Sequence, residues 1–176
     1  MVLAAEILSV SSKTRQILLL ILVVGLSVLT LRPASAEVFQ DWELVCNSQN
    51  SDAPCRLQQA QAVNGGKDVV FLFNVISQGK ANVGLISTPL EVYLPAGISL
   101  RVDKGKTRQA AFETCNLSGC HAGFQLDAQL LSALKSGAVL TATLMDTKST
   151  KIDVAVSLKG FSAGLNALSE QKAKQP

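Results

Sequence analysis

The sequence predicts a mainly β protein: a β-sandwich with one or two short helices, following an N-terminal signal peptide. Three observations carry this. About eight short β-rich segments recur with turn signals every 8–12 residues or so. The hydrophobic period turns helical in only two places, Leu126–Gly137 and Gly160–Glu170. The first 36 residues differ in kind from everything after them.

Those residues read as a leader. Lys13 and Arg15 form a basic start, Ile17 to Leu31 is an apolar run, and Ala34-Ser35-Ala36 supplies a small-x-small cleavage site before Glu37. A spanning helix needs about 20 apolar residues, and this run is shorter. The alternative is an uncleaved N-terminal anchor that associates with the membrane. Removing residues 1–36 takes away Lys13, Arg15, Arg32 and Glu6, so the formal charge falls from +3 to +1. No strong field remains to attract nucleic acid. The expected organisation is a leader over 1–36, one sandwich domain over 37–170 and a polar, frayed tail over 171–176.

The first strand lies in "VFQDWELVC", where alternation is only rough, and "CRLQQAQAV" supplies the second. "NGGKD" marks a turn. "VVFLFNVI", Val69 to Ile76, is continuous enough for a central strand covered on both faces. "VGLIS" and "LEVYLP" follow, with Pro89 and Pro95 confining them to edges or strand ends. "ISLRVD" places Ile98, Leu100 and Val102 on one face. "KGK", Lys104 to Lys106, is a hairpin turn, and "TRQAAFETC" returns from it as one strand. In "LDAQLLSALKSG", Asp127 caps a helix, Leu126 and Leu131 form a hydrophobic staple, and Gly137 suits a left-handed stop. "AVLTATLM" and "KIDVAVSL" make a hairpin around "DTKST". "GFSAGLNALSE" closes the domain as a helix that Ser162 can cap, with Phe161, Leu165 and Leu168 on one face.

All four cysteines follow the leader. Export with an even cysteine count points to disulfides. Three connectivities exist; the local one, Cys46–Cys55 with Cys115–Cys120, is favoured because each intervening segment reads as a polar turn between strands.

The order of motifs resembles the invasion-associated locus B family of exported proteobacterial proteins. The residues that carry the likeness are "FQDWELVC", "RLQQAQ", "TCNLSGC", "LLSALKSG" and "VSLKGFSAGLNAL", spanning Phe39 to Leu168. The most specific are Trp42, Leu44 and Cys46, the close pair Cys115 and Cys120, and "SLKGFSAGL". The resemblance implies an immunoglobulin-like sandwich in the periplasm or at the envelope, with some members linked to host-cell invasion. It implies no enzymatic reaction. His121 is not part of the family pattern.

The chain's sole histidine, His121, follows Cys120 directly, which opens other chemistry. Haem attachment would use Cys115, Cys120 and His121, but it leaves the other cysteine pair unexplained. A closed zinc site prefers C-x₂₋₄-C knuckles; Cys115 and Cys120 satisfy that spacing, whereas Cys46 and Cys55 do not. A catalytic dithiol prefers C-x-x-C, which neither pair has. Any Ser–His or Cys–His nucleophile must run through His121, and no G-x-S-x-G elbow is present. Asp41 and Glu43 could share a site but suit a solvated strand. Lys104, Lys106 and Arg108 form a basic tip for an anionic surface. Trp42 suits a core anchor. Phe161 and Leu165 either seal the sandwich or offer a partner an apolar face.

The resulting expectation is a non-enzymatic periplasmic protein without cofactor or metal that binds another protein or an envelope component. The candidate interaction surface is Lys104, Lys106, Arg108, Phe161 and Leu165. The alternatives are a chaperone or accessory subunit of a membrane complex, and a redox or haem protein centred on Cys115, Cys120 and His121.

Overall fold

Alternating burial sorts eleven strands into two antiparallel sheets, in a computed structural model that describes residues 36–46, 55–63, 68–79 and 81–173. These residues all fall in one unit, Ala34–Pro176. In chain order the strands begin with β1 (Ala36–Phe39), β2 (Trp42–Val45), β3 (Arg56–Val63), β4 (Asp68–Gln78) and β5 (Ala81–Thr88). Next come β6 (Ile98–Val102), β7 (Arg108–Ala110), β8 (Thr114–Asn116) and β9 (Gly119–Gln125). Helix α1 (Ala128–Ser136) leads into β10 (Val139–Met145) and β11 (Lys151–Ser157), and α2 (Phe161–Ala173) ends the fold. The larger sheet runs β1-β2-β3-β4-β5-β9-β8; the smaller runs β11-β10-β6-β7.

Period-two alternation drives this arrangement. Trp42, Leu44, Leu57, Phe71, Phe73, Val75, Ile86 and Ala122 enter the core from the larger sheet. Ile98, Leu100, Leu140, Ala142 and Val156 meet them from the smaller. Burying each large side chain contributes about 1.5–3 kcal/mol. Trp42 lies edge-on to Phe73 (5.6 Å) and Phe161 (5.0 Å), an arrangement favoured by the ring quadrupoles. Its indole N–H donates to the Ser157 carbonyl at 2.9 Å.

Several expectations need correction. β4 is central, between β3 and β5, but among its described side chains Phe71, Phe73 and Val75 face the core, while Leu72 and Ile76 are half-exposed. "LEVYLP" is not a strand. Glu91 sits at φ 73°, Val92 makes an isolated bridge to Asp146, and Pro95 lies in a 3-10 turn, Leu94–Ala96. "TRQAAFETC" is two strands in different sheets. Ala110 is buried in the smaller sheet, and three residues later the Glu113 N–H bonds the His121 carbonyl at 2.8 Å in the larger. Such corners let one chain segment serve both layers.

Asp127 caps α1 as expected, accepting the Leu130 N–H at 2.8 Å. Gly137 is not left-handed, with φ −79°. It is required by proximity, since a Cβ there would lie 2.3 Å from Val102 Cγ1. Gly160 accepts the first helical bond of α2, from the Gly164 N–H, and has φ 86°. A Cβ on it would meet the Phe39 carbonyl oxygen at 1.9 Å. Ser162 does not cap; its hydroxyl donates to the Lys135 carbonyl and ties α2 to α1. α2 also runs on to Ala173, into the segment expected to fray. The expected leader lies outside the described residues except for Ala36, which opens β1.

Candidate functional site

Three residues singled out in the sequence, Cys115, Cys120 and His121, meet in the β8–β9 hairpin. Cys115 and Cys120 are directly opposite in register, with Cα atoms 4.0 Å apart, and are bonded to each other. Neither sulfur is free for a thioether or a metal in this state. The other bond is Cys46–Cys55, so the local pairing is the one in the structure. Two residues, Leu117 and Ser118, form the tip between the paired Asn116 and Gly119. The Asn116 side-chain oxygen accepts both the Ser118 N–H (2.8 Å) and the Ser118 hydroxyl (2.6 Å). Gly119 has φ 127°, and a Cβ there would lie 2.1 Å from the Thr88 carbonyl oxygen. The hairpin is thus clamped covalently at its neck and seated tightly on the end of β5.

His121 pairs across the ladder with Ser87. Its Nδ1 is 2.9 Å from the Ser87 hydroxyl, and its Nε2 is 3.4 Å from the Asn116 oxygen. A serine, a histidine and an asparagine in hydrogen-bonded sequence have the layout of an acyl-transfer site, but that chemistry needs donors aimed at a developing oxyanion. The Ser118 N–H, at the tip beside Asn116, is already engaged. The trio ties the hairpin turn to β5 by hydrogen bonds. Asp41 and Glu43 are not brought together: Asp41 lies in the β1–β2 turn, while Glu43 accepts from the Gln58 amide. Among the described residues, no group of three His, Cys, Asp or Glu side chains could hold a metal ion.

Beside the hairpin tip is a groove of about 410 Å³, lined chiefly by Leu72, Ser87, Pro89, Leu90 and Leu117. None of its lining residues is ionisable. Leu117 is 103% exposed and Leu90 51%. Sequence reading missed this site. Its one signal was a leucine in a two-residue turn between cysteines, where polar residues are usual.

The expected interaction surface divides. Lys104 and Lys106 are exposed in the β6–β7 turn. Arg108 instead binds Asp127 and Gln129 at the start of α1. Asp127 is held below the ordinary carboxyl range, first by the Leu130 N–H and then by Arg108, against an opposing desolvation effect. Phe161 and Leu165 do not form a surface; they are 0% and 2% exposed, because α2 turns that face onto Trp42 and Leu57.

Two antiparallel sheets, two short helices and two local disulfides define an immunoglobulin-like sandwich stapled within neighbouring strands. The model of the Invasion associated locus B (IalB) protein family matches residues 42–169, and the chain belongs to that family. It is 32% identical over 135 residues to the Invasion protein B homolog of Brucella abortus (strain 2308), covering 75% of this chain and 78% of that one. The homolog of Brucella abortus biovar 1 (strain 9-941) matches to the same extent. The crystal structure of invasion associated protein B from Bartonella henselae shares the fold, with TM-score 0.71 and 22% identity over 79% of this chain and 99% of that one.

Proposed function

We propose that the protein is exported to the periplasm and acts there without catalysis, binding a protein or another envelope component through the clamped hairpin and its groove. In this reading it contributes to host-cell contact, in keeping with the invasion names of its relatives. One observation carries the binding role. A large apolar side chain, Leu117, stands fully exposed on a disulfide-held tip beside a groove without ionisable residues. A preorganised apolar anchor loses little entropy on docking. At the foot of the hairpin, His121 bonds Ser87 and Asn116.

The test is photo-cross-linking in intact cells, with the reactive side chain in place of Leu117 or, as control, of the exposed Lys135 on α1. The expected result is an adduct from position 117 alone, carried by a chain whose intact mass begins at Glu37. No adduct from position 117 would overturn the binding site; an intact leader would overturn export by cleavage.

A further inference from the structure

We propose that the free edge of β11 is a second docking surface, which takes an extended segment of another protein as an added strand. It is separate from the hairpin groove and does not depend on it. The register locates it. Ser157 turns both its N–H and its C=O away from β10, toward the side-chain amide of Gln59. Along an antiparallel ladder these groups change side at every residue. Asp153 and Ala155 therefore also turn theirs away from β10, and both residues are exposed. Among the described residues, no backbone group bonds them there. Sheet edges are usually kept short, because unpaired backbone invites another strand. The edges β1, β7 and β8 hold four, three and three residues, whereas β11 is an edge of seven.

Three features specify the occupant. The first is Gln59 itself. Its amide presents one donor and one acceptor to Ser157, as a residue of a neighbouring strand would. A peptide strand repeats that pair of groups at every second residue, which matches Ala155 and Asp153. The second is charge. A cleft of about 390 Å³ lies between β3 and β11, walled by Ala155 and Ser157 on one side and by Asp41 and Gln59 on the other. Asp41 makes no ion pair among the described residues, so the segment carries a lysine or arginine beside it. A second β11 would bring no free cation, since its Lys151 is paired with Asp153. The third is apolar cover. Val156, Val154 and Ile152 share one side of β11, yet exposure rises from 0% at Val156 to 40% at Ile152. Apolar residues at alternate positions of an added strand would cover Val154 and Ile152.

The test is amide hydrogen exchange by NMR on protein expressed from the full sequence, with the probe peptide acetyl-Lys-Thr-Val-Thr-Val-Thr-Lys-amide. Saturating probe should slow exchange at Asp153 and Ala155 about tenfold or more and leave Val154, whose N–H already faces β10, unchanged. A probe with glutamate in place of both lysines should bind more weakly. Ala155→Pro removes an outward N–H and no bond to β10, a change that edge strands tolerate. It should weaken binding about tenfold or more. Should circular dichroism show that this variant does not fold, the probe methylated at every second amide nitrogen replaces it. One phase of methylation should then bind and the other should not, because a strand pairs through one edge only. No slowing at Asp153 and Ala155 overturns the proposal, as does equal affinity of a folded Ala155→Pro variant or equal binding of both methylated phases. Slowing of the same amides with rising protein concentration and no probe overturns it in favour of a second copy.

Discussion

Gln59 pairs with Ser157 as one strand pairs with another. Its amide N–H donates to the Ser157 carbonyl at 2.9 Å, and its amide oxygen accepts the Ser157 N–H at 3.0 Å. Gln59 is on β3 in the larger sheet and Ser157 ends β11 in the smaller, so one side chain joins the two layers. Trp42 donates to the same Ser157 carbonyl, and Gln61 donates to the Gln59 oxygen. A buried amide linked this fully fixes how the sheets meet at this edge.

Gln59→Leu should therefore cost about 1–3 kcal/mol, because the Ser157 N–H is left without its partner. Urea denaturation at neutral pH measures it. Gln59→Glu should be worse at neutral pH, where a carboxylate faces the Ser157 carbonyl, and should recover partly in acid. Burial raises that carboxyl's folded pKa, so the protonated acid again donates as the amide did. Equal stability of Gln59→Leu and wild type would show that the link is incidental.

Trp42→Ala should cost about 3–5 kcal/mol, since it removes the ring from between Phe73 and Phe161. Trp42→Phe should cost less, retaining part of the ring packing but losing the bond to Ser157. The same denaturation curves rank the two, and equal losses would contradict the contribution of the ring packing.

Replacing Cys115 and Cys120 together by alanine should cost about 2 kcal/mol, the loop-closure entropy of so short a loop. The hairpin tip should loosen more than the domain does. Hydrogen exchange at Ser118 and Gly119 should accelerate while that of Phe73 stays slow. Unchanged exchange at the tip would mean that Asn116 and Gly119 hold it without the disulfide.

Acid should weaken the fold through Asp127, Asp146 and Asp153, each held below the ordinary carboxyl value. For Asp127 and Asp146 the largest cause is a backbone N–H bond, from Leu130 and Thr150 respectively; for Asp153 it is the Thr143 hydroxyl. A depressed folded pKa gives stability that is present above the unfolded value, near 3.9, and is lost as pH falls through the folded one. Asp127→Asn keeps a side chain able to cap α1 but carries no charge. Its stability should fall less steeply than that of the wild type below about pH 4. Parallel curves would show that Asp127 plays no part in the acid response.

Much of the fold was legible in the sequence because burial alternates cleanly where a strand has one wet face. Ile98, Leu100 and Val102 show it, as do Leu140, Ala142 and Leu144. The α1 cap was legible because Asp127 stands directly before an apolar stripe. Local patterns could not show where a strand changes sheet, and this is why Arg108–Ala110 and Thr114–Asn116 read as one strand. The roles of Gly137 and Gly160 were equally hidden, since each is fixed by an atom distant in sequence: Val102 Cγ1 and the Phe39 oxygen. The candidate site was half legible. Cys115 and Cys120 marked the hairpin, but the groove is assembled from β4, the end of β5 and the tip. Phe161 and Leu165 misled because an apolar helix stripe looks the same whether it seals a core or meets a partner.

Cross-linking from position 117 in intact cells, with and without Leu90→Asp, tests the central claim most directly. A clamped leucine docking beside an apolar groove predicts one discrete adduct, strongly reduced when Leu90 becomes Asp. No adduct, or the same adduct at the same yield with Leu90→Asp, would contradict it.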